Sequence, residues 1–401
     1  MSAEFARRAV VLGLLTAVAP SAIDMYLPAF GAIAAHFQTT DAEVQLSLVT
    51  FFAALAIGQI LYGPVSDAIG RKRPILFGLA LFVASSIGCA FAPNIETLIA
   101  LRFLQGLGGC AGTVVTVAVV RDLYSGGEAA RMLSLTLLGL SLSPILAPIA
   151  GGALIAVGTW QWIFGALVAI GVLMLGFVAL FLQESLPPAR RNKVSVGSSL
   201  LAFARLLSSG WFMTATMTAG FTQAALLSYV GGSSFVFMTL HGASPLLYSA
   251  IFASNAVAII GGAQFNGFLI RRFGSKALIS VALMVFLAAA LALYLVVGLF
   301  GAGLWTTVAL IFVTLAGMGL IMPTATMLGL EPFGAMAGTA AALGGALQFT
   351  TSALATFLVS ALADGTARPL VGVMAASAIA AGLSWLAFLK LSTRVAATNP
   401  A

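Results

Sequence analysis

Charge is what this chain has least of. Only 7% of its 401 residues are Asp, Glu, Lys or Arg, against about 25% in an ordinary soluble domain, so no water-facing surface of normal make-up can be built from it. Cysteine is nearly absent. Cys89 and Cys110 both fall inside apolar runs, which excludes a disulfide scaffold and leaves packing as their role. The two histidines, His36 and His241, are far apart in sequence, so the clustered imidazoles of a metal centre are missing. There is no Gly-x-x-x-x-Gly-Lys-Ser/Thr loop to hold ATP and no Gly-x-Ser-x-Gly nucleophile elbow. A single aspartate deep in an apolar run leaves an intramembrane aspartyl protease without its second carboxylate. What is abundant is hydrocarbon: 61% of residues are hydrophobic and the mean hydropathy is +1.11. Apolar runs recur along the whole length, and lipid is therefore the solvent for most of the surface.

The runs predict spans at roughly 9–35, 44–65, 74–92, 97–120, 132–157, 161–182, 211–234, 245–270, 277–297, 304–329, 336–361 and 368–391. The first begins after Arg7 and Arg8 and continues to Phe30, which favours an uncleaved span over a removable signal. Short connections force neighbours antiparallel. The longest, about 183–210, carries Glu184, Pro187, Pro188, Arg190, Arg191 and Lys193 and reads as a solvated linker. The expected fold is an all-α polytopic membrane protein of twelve transmembrane helices in two pseudo-symmetric six-helix halves, residues 1–182 and 211–401, joined by a cytoplasmic linker at 183–210.

A formal charge of +7 could suggest nucleic acid, but the positions of the bases decide otherwise. With both termini cytoplasmic, Arg7, Arg8, Arg71, Lys72, Arg73, Arg121, Arg131, Arg190, Arg191, Lys193, Arg205, Arg271, Arg272, Lys276, Lys390 and Arg394 all lie inside. Only Arg368 lies outside and Arg102 within a span. That asymmetry is the signature of orientation. The halves also echo one another: Gly63, Asp67, Gly70 and Lys72 recur as Gly267, Arg271, Gly274 and Lys276 at a constant offset of 204 residues, as expected of an internally duplicated transporter.

Gly63-Pro64-Val65-Ser66-Asp67-Ala68-Ile69-Gly70-Arg71-Lys72-Arg73 resembles the loop motif between the second and third helices of the major facilitator superfamily. Arg102-Phe103-Leu104-Gln105-Gly106 resembles the fourth-helix motif of its proton-coupled drug antiporters, and Arg121-Asp122-Leu123-Tyr124 the sequence that closes that helix. Asp24-Met25-Tyr26-Leu27-Pro28-Ala29-Phe30 is similar to the Bcr/CflA group, which exports bicyclomycin- and chloramphenicol-type compounds. The fifth-helix antiporter motif expects Gly-Pro before paired glycines; here Ala147 stands before Pro148 and Gly151-Gly152, which weakens its argument for antiport over uptake. The resemblance implies the major facilitator fold, alternating access, and proton-coupled export of small drug-like molecules across a bacterial inner membrane. The proton gradient would be the energy source, with no cofactor, no metal and no nucleic acid. The partners are then the lipid bilayer, protons and a small-molecule substrate, and a cavity between halves asks for only a monomer. The rival readings are transport of an endogenous metabolite such as an amino acid or sugar and, remotely, a membrane-embedded enzyme.

Asp24 is the acid placed deepest in a span, where a charge costs roughly 2.5–3.5 kcal/mol. Arg102 is the basic residue well inside one. If the first and fourth helices face each other, as the family fold implies, the two are expected to pair, Asp24 exchanging a proton and Arg102 biasing that exchange. A purely structural ion pair is the alternative. Pro28 cannot donate to the Asp24 carbonyl four residues earlier, so a backbone acceptor is freed beside the acid. The resemblance assigns gating to Gly63, Asp67, Gly70, Arg71, Arg121 and Asp122, with Asp67 in a charge network whose partner is Arg121; topology anchoring by Arg71, Lys72 and Arg73 is the plainer reading. Apolar cavities need a few polar groups to orient a ligand. The candidates are Tyr26, Phe30, Gln59, Gln105, Thr113, Phe221, Gln223, Tyr229, Asn255, Gln348 and Phe349, each of which could equally pack against a neighbouring helix.

Overall fold

A computed structural model describes residues 3–191 and 196–398. Lys193 lies outside the described residues, as does the side chain of Arg394. The described chain is helical, in the order α1 (Ala3–Asp24), α2 (Phe30–Phe37), α3 (Asp41–Ile69), α4 (Lys72–Ala90), α5 (Ile95–Leu123), α6 (Gly126–Val157), α7 (Gln161–Phe181), α8 (Val196–Leu207), α9 (Gly210–Ser234), α10 (Pro245–Phe273), α11 (Ser275–Leu293), α12 (Leu304–Leu330), α13 (Ala337–Ala361) and α14 (Arg368–Thr398). Among the described residues, twelve segments are long and apolar enough to cross a membrane. Their limits fall within several residues of those expected from hydropathy, the first being α1 and α2 together, Glu4–Phe37. Single π-helical turns at Phe235–Leu240 and Tyr294–Leu299 prolong two of them.

Two compact units emerge, residues 1–195 with 244–253, and residues 196–243 with 254–401. In the first, helices approach closely because glycines face backbone. A methyl group on Gly108 of α5 would lie 2.6 Å from the Gly78 carbonyl oxygen and from the Phe82 nitrogen of α4, a separation no side chain tolerates. Gly106 faces the Phe51 carbonyl of α3 in the same way, at 2.7 Å. Ser249, on the stretch of α10 that belongs to this unit, donates to the Pro148 carbonyl at 2.7 Å. In the second unit the α12 glycine Gly319 meets the Ile259 carbonyl of α10, and Gly262 meets that of Ala316.

The sequence echo has a structural counterpart. The helices α3 and α10 each run 29 residues, and α4 and α11 that follow them each run 19. Between the members of each pair stands a glycine with positive φ, Gly70 at 97° and Gly274 at 79°, a conformation that carries a steric penalty for any residue with a Cβ. The duplicated loop therefore makes the same sharp reversal in both places.

Two expectations are corrected. The span expected at 9–35 is not one continuous helix: α1 stops at Asp24, a 3-10 turn covers Leu27–Ala29, and α2 resumes at Phe30. Nor is 183–210 only a solvated linker. It contains α8, whose Leu206 is fully buried against Phe212 of α9 and Ala340 and Leu343 of α13.

Candidate functional site

The break in the first span creates the site. Because the Tyr26 amide turns back to the Ile23 carbonyl at 3.3 Å, the Ala22 carbonyl loses the donor an unbroken helix would supply. Arg102 fills it, donating from Nη1 at 3.0 Å. A cation thus sits at the negative end of α1, where the helix dipole favours it. The same nitrogen donates to Gln105 Oε1 at 2.5 Å, and Gln105 Nε2 donates to Ser86 Oγ at 2.7 Å. The guanidinium carbon stands 4.4 Å from the Tyr26 ring centre and 4.5 Å from that of Phe51, two cation–π contacts in a dry environment. Tyr26 is held by a 2.9 Å hydrogen bond with Ser47, by an edge contact with Phe30 and by a tilted ring contact with Phe164. Nε and Nη2 of Arg102 are buried and make no hydrogen bond among the described residues.

Asp24 is 5% exposed, and with Arg71 and Arg102 it makes up the charged residues that are buried among those described. The expected Asp24–Arg102 ion pair is not formed: among the described residues no ion pair or hydrogen bond involves the Asp24 carboxyl group. The physical reason is that Nη1 of Arg102 is taken up by the Ala22 carbonyl and by Gln105, and the guanidinium is held beside the Tyr26 and Phe51 rings. Asp24, Tyr26, Phe30, Arg102 and Gln105 are nevertheless brought to one region, the helix break and the α5 segment that caps it.

The other candidates are scattered. Gln59 is half-buried on α3, and Thr113 returns its hydroxyl to the Cys110 carbonyl at 3.0 Å within α5. In the second unit Asn255 donates to the Tyr229 hydroxyl at 2.9 Å, both being fully buried. Gln223 is buried; Phe221, Gln348 and Phe349 are half-buried, and Gln348 reaches Thr326 only at 3.5 Å.

A second charged cluster closes the loop after α3. Arg71 donates from Nε to Asp122 Oδ2 at 2.8 Å, and from Nη1 to Asp67 at 2.5 Å and Ser66 at 2.8 Å. Burial opposes the charge of this guanidinium, but the bonds to Asp122 and Asp67 more than offset it and raise its pKa above that of a free arginine. Here the expected partner of Asp67 is corrected: Arg71 takes that place, while Arg121, one residue before Asp122, is exposed and joins no ion pair among the described residues. Helical periodicity explains the swap, since adjacent residues point about 100° apart and Asp122 occupies the inward position. Gly63 is half-buried on α3, one turn before Asp67, and its carbonyl accepts from Ser66 Oγ at 2.9 Å.

Sequence reasoning missed Glu184. Its carboxylate accepts from the backbone amides of Arg71 at 2.8 Å and Lys72 at 3.3 Å, capping the start of α4, and it lies beside Gly70, where a side chain would collide with it. Lys72 in turn donates to the Ala179 carbonyl near the end of α7 at 2.8 Å, and Ser185 donates to Asp122 at 3.0 Å. Being the one acid of the 183–210 segment was the available signal. Ser47, Phe51, Ser86 and Phe164 gave none.

Comparisons with known proteins agree with this architecture. The model of the Major Facilitator Superfamily matches residues 12–356. A transporter of Bacillus subtilis named "Uncharacterized MFS-type transporter YdgK" is 37% identical over 388 residues, covering 95% of each chain. The "Bicyclomycin resistance protein homolog" of Haemophilus influenzae is 28% identical, covering 96% of each, and the "Multidrug resistance protein MdtL" of Escherichia coli is 29% identical, covering 90% of each. Among solved structures the Escherichia coli xylose transporter XylE superposes with a TM-score of 0.76 at 11% identity, over 96% of this chain and 98% of that one, a likeness of fold alone. These relatives agree with the resemblance to the Bcr/CflA group read from the first helix, and they set aside the membrane-enzyme alternative. The chain is a multi-pass membrane transporter of small molecules and belongs to the Major Facilitator Superfamily.

Proposed function

We propose that this transporter is a proton-coupled antiporter that exports small drug-like molecules, of the chloramphenicol and bicyclomycin type, across a bacterial inner membrane. The observation that carries the reading is Asp24, a buried carboxyl group at the end of an interrupted membrane helix with no cation bonded to it. A charge at that depth costs roughly 2.5–3.5 kcal/mol, a cost that binding a proton removes. Arg102, bound to the helix end two residues earlier, supplies a fixed positive field. Its two unpaired nitrogens can donate to a polar cargo group that competes with the proton.

The energy is sufficient. One charge crossing 100 mV releases about 2.3 kcal/mol, enough for roughly 40-fold accumulation of cargo. The names of two relatives support drug-like cargo; the distribution of basic residues supports cytoplasmic termini. Asp67, Arg71 and Asp122 serve as a gate, and the chain acts as a monomer. Inverted membrane vesicles energised by respiration, offered a panel of such antibiotics, test direction and specificity together. Uptake abolished by a protonophore is the expected result, and gradient-independent equilibration of every compound would refute the proposal.

A further inference from the structure

All of the chain's net charge resides in one stretch. Between Glu184 and Glu331 there are seven basic residues, Arg190, Arg191, Lys193, Arg205, Arg271, Arg272 and Lys276, and no acid. Of these, Arg205 belongs to α8, is exposed and forms no ion pair among the described residues. The same helix carries an apolar stripe, Leu200, Phe203, Ala204 and Leu207, at the i, i+3, i+4, i+7 spacing that places them on one face. Phe203 and the neighbouring Leu206 pack on the α9 and α13 cluster. The rest of the stripe is uncovered, with Leu200 60% and Leu207 47% exposed, and Leu201 55% exposed beside Arg205.

Where α8 must lie follows from its tether. Only Ser208 and Ser209 separate it from α9, which opens a membrane span at Gly210, and three chain steps reach no more than about 10 Å. A helix held there, with bare leucines and an unpaired cation, sits at the height of the lipid headgroups. We infer that α8 is an interfacial anchor that docks on an anionic bilayer surface, Leu200, Ala204 and Leu207 entering the acyl boundary and Arg205 binding headgroup phosphates. The inference stands independently of cargo, proton coupling and orientation.

Ala204 is exposed on the stripe and the natural Cys89 and Cys110 are buried, so a nitroxide attached to the full-length A204C variant reports on this face. Reconstituted into symmetric vesicles of phosphatidylcholine with phosphatidylglycerol, the label is expected to collide with oxygen more than with a water-soluble nickel chelate. Pure phosphatidylcholine shifts the balance toward the chelate. Arg205→Gln in the labelled chain lowers the docked-to-undocked ratio about fivefold, and Arg205→Lys restores it. A label dominated by the chelate in both lipids overturns the inference, as does a ratio indifferent to phosphatidylglycerol and to Arg205→Gln. A label shielded from both reagents also overturns it, because a protein partner or a second copy would then cover the face.

Discussion

Neutralising Asp122 should damage this protein far more than neutralising Asp67, although the motif read from the loop gives prominence to Asp67. Arg71 is 8% exposed at its side chain and needs compensation; Asp122 is 17% exposed and Asp67 51%. Asp122→Asn removes the charge at 2.8 Å from Arg71 Nε and weakens the acceptor for Ser185. A hydrogen bond to a charged group contributes about 1.5–3 kcal/mol, so a loss of about 2–3 kcal/mol is expected. Asp67→Asn disturbs a solvated pair worth at most about 1 kcal/mol. The difference, about 2 kcal/mol, is roughly thirtyfold in an unfolding equilibrium. Reversible denaturation of the purified protein in mixed detergent micelles can read it, with each variant's midpoint and slope compared with the parent. Equal losses, or a greater loss for Asp67→Asn, would refute the assignment of Asp122 as the principal partner.

Other outcomes follow from the same structure. Glu184→Ala should lower the thermal midpoint in detergent, through the loss of a helix cap worth about 1 kcal/mol, whereas Glu184→Gln, which keeps an acceptor, should recover most of it. Arg102→Lys should abolish gradient-driven export in vesicles, because a compact ammonium cannot bond the Ala22 carbonyl and Gln105 and also keep the guanidinium's contacts with the Tyr26 and Phe51 rings; Arg368→Ala, outside the site, should leave export within a few-fold of the parent. Gly108→Val should cost about 1–3 kcal/mol or more by forcing α4 and α5 apart, and a midpoint equal to the parent's would show that the helices do not touch there.

Much of the architecture was legible in the sequence because the bilayer imposes a single length scale. A run of apolar residues long enough to cross it has few alternatives to a helix, and all twelve spans were found with their limits nearly in place. The 204-residue echo was legible for a similar reason: a sharp reversal after a long helix calls for glycine, and Gly70 and Gly274 both take positive φ. The candidate site was legible only in part. Pro28 showed that the backbone beside Asp24 is short of a donor, but not that the chain would answer with a full break and an arginine brought 80 residues along the sequence to the Ala22 carbonyl. Side-chain partners across helices depend on rotation about each helix axis, which hydropathy does not encode, and so Arg121 was expected where Arg71 and Asp122 meet. The helix α8 was hidden by its setting, a dozen residues among prolines and arginines with too few apolar positions to stand out as a span.

The claim that Asp24 binds the proton cargo must displace is tested most directly by cargo-induced proton release. Purified protein in weakly buffered detergent is mixed with chloramphenicol and the pH of the solution is followed, for the parent and for an Asp24→Asn variant that still folds and binds the compound. Protons should appear with the parent and not with the variant; equal release from both would contradict the claim.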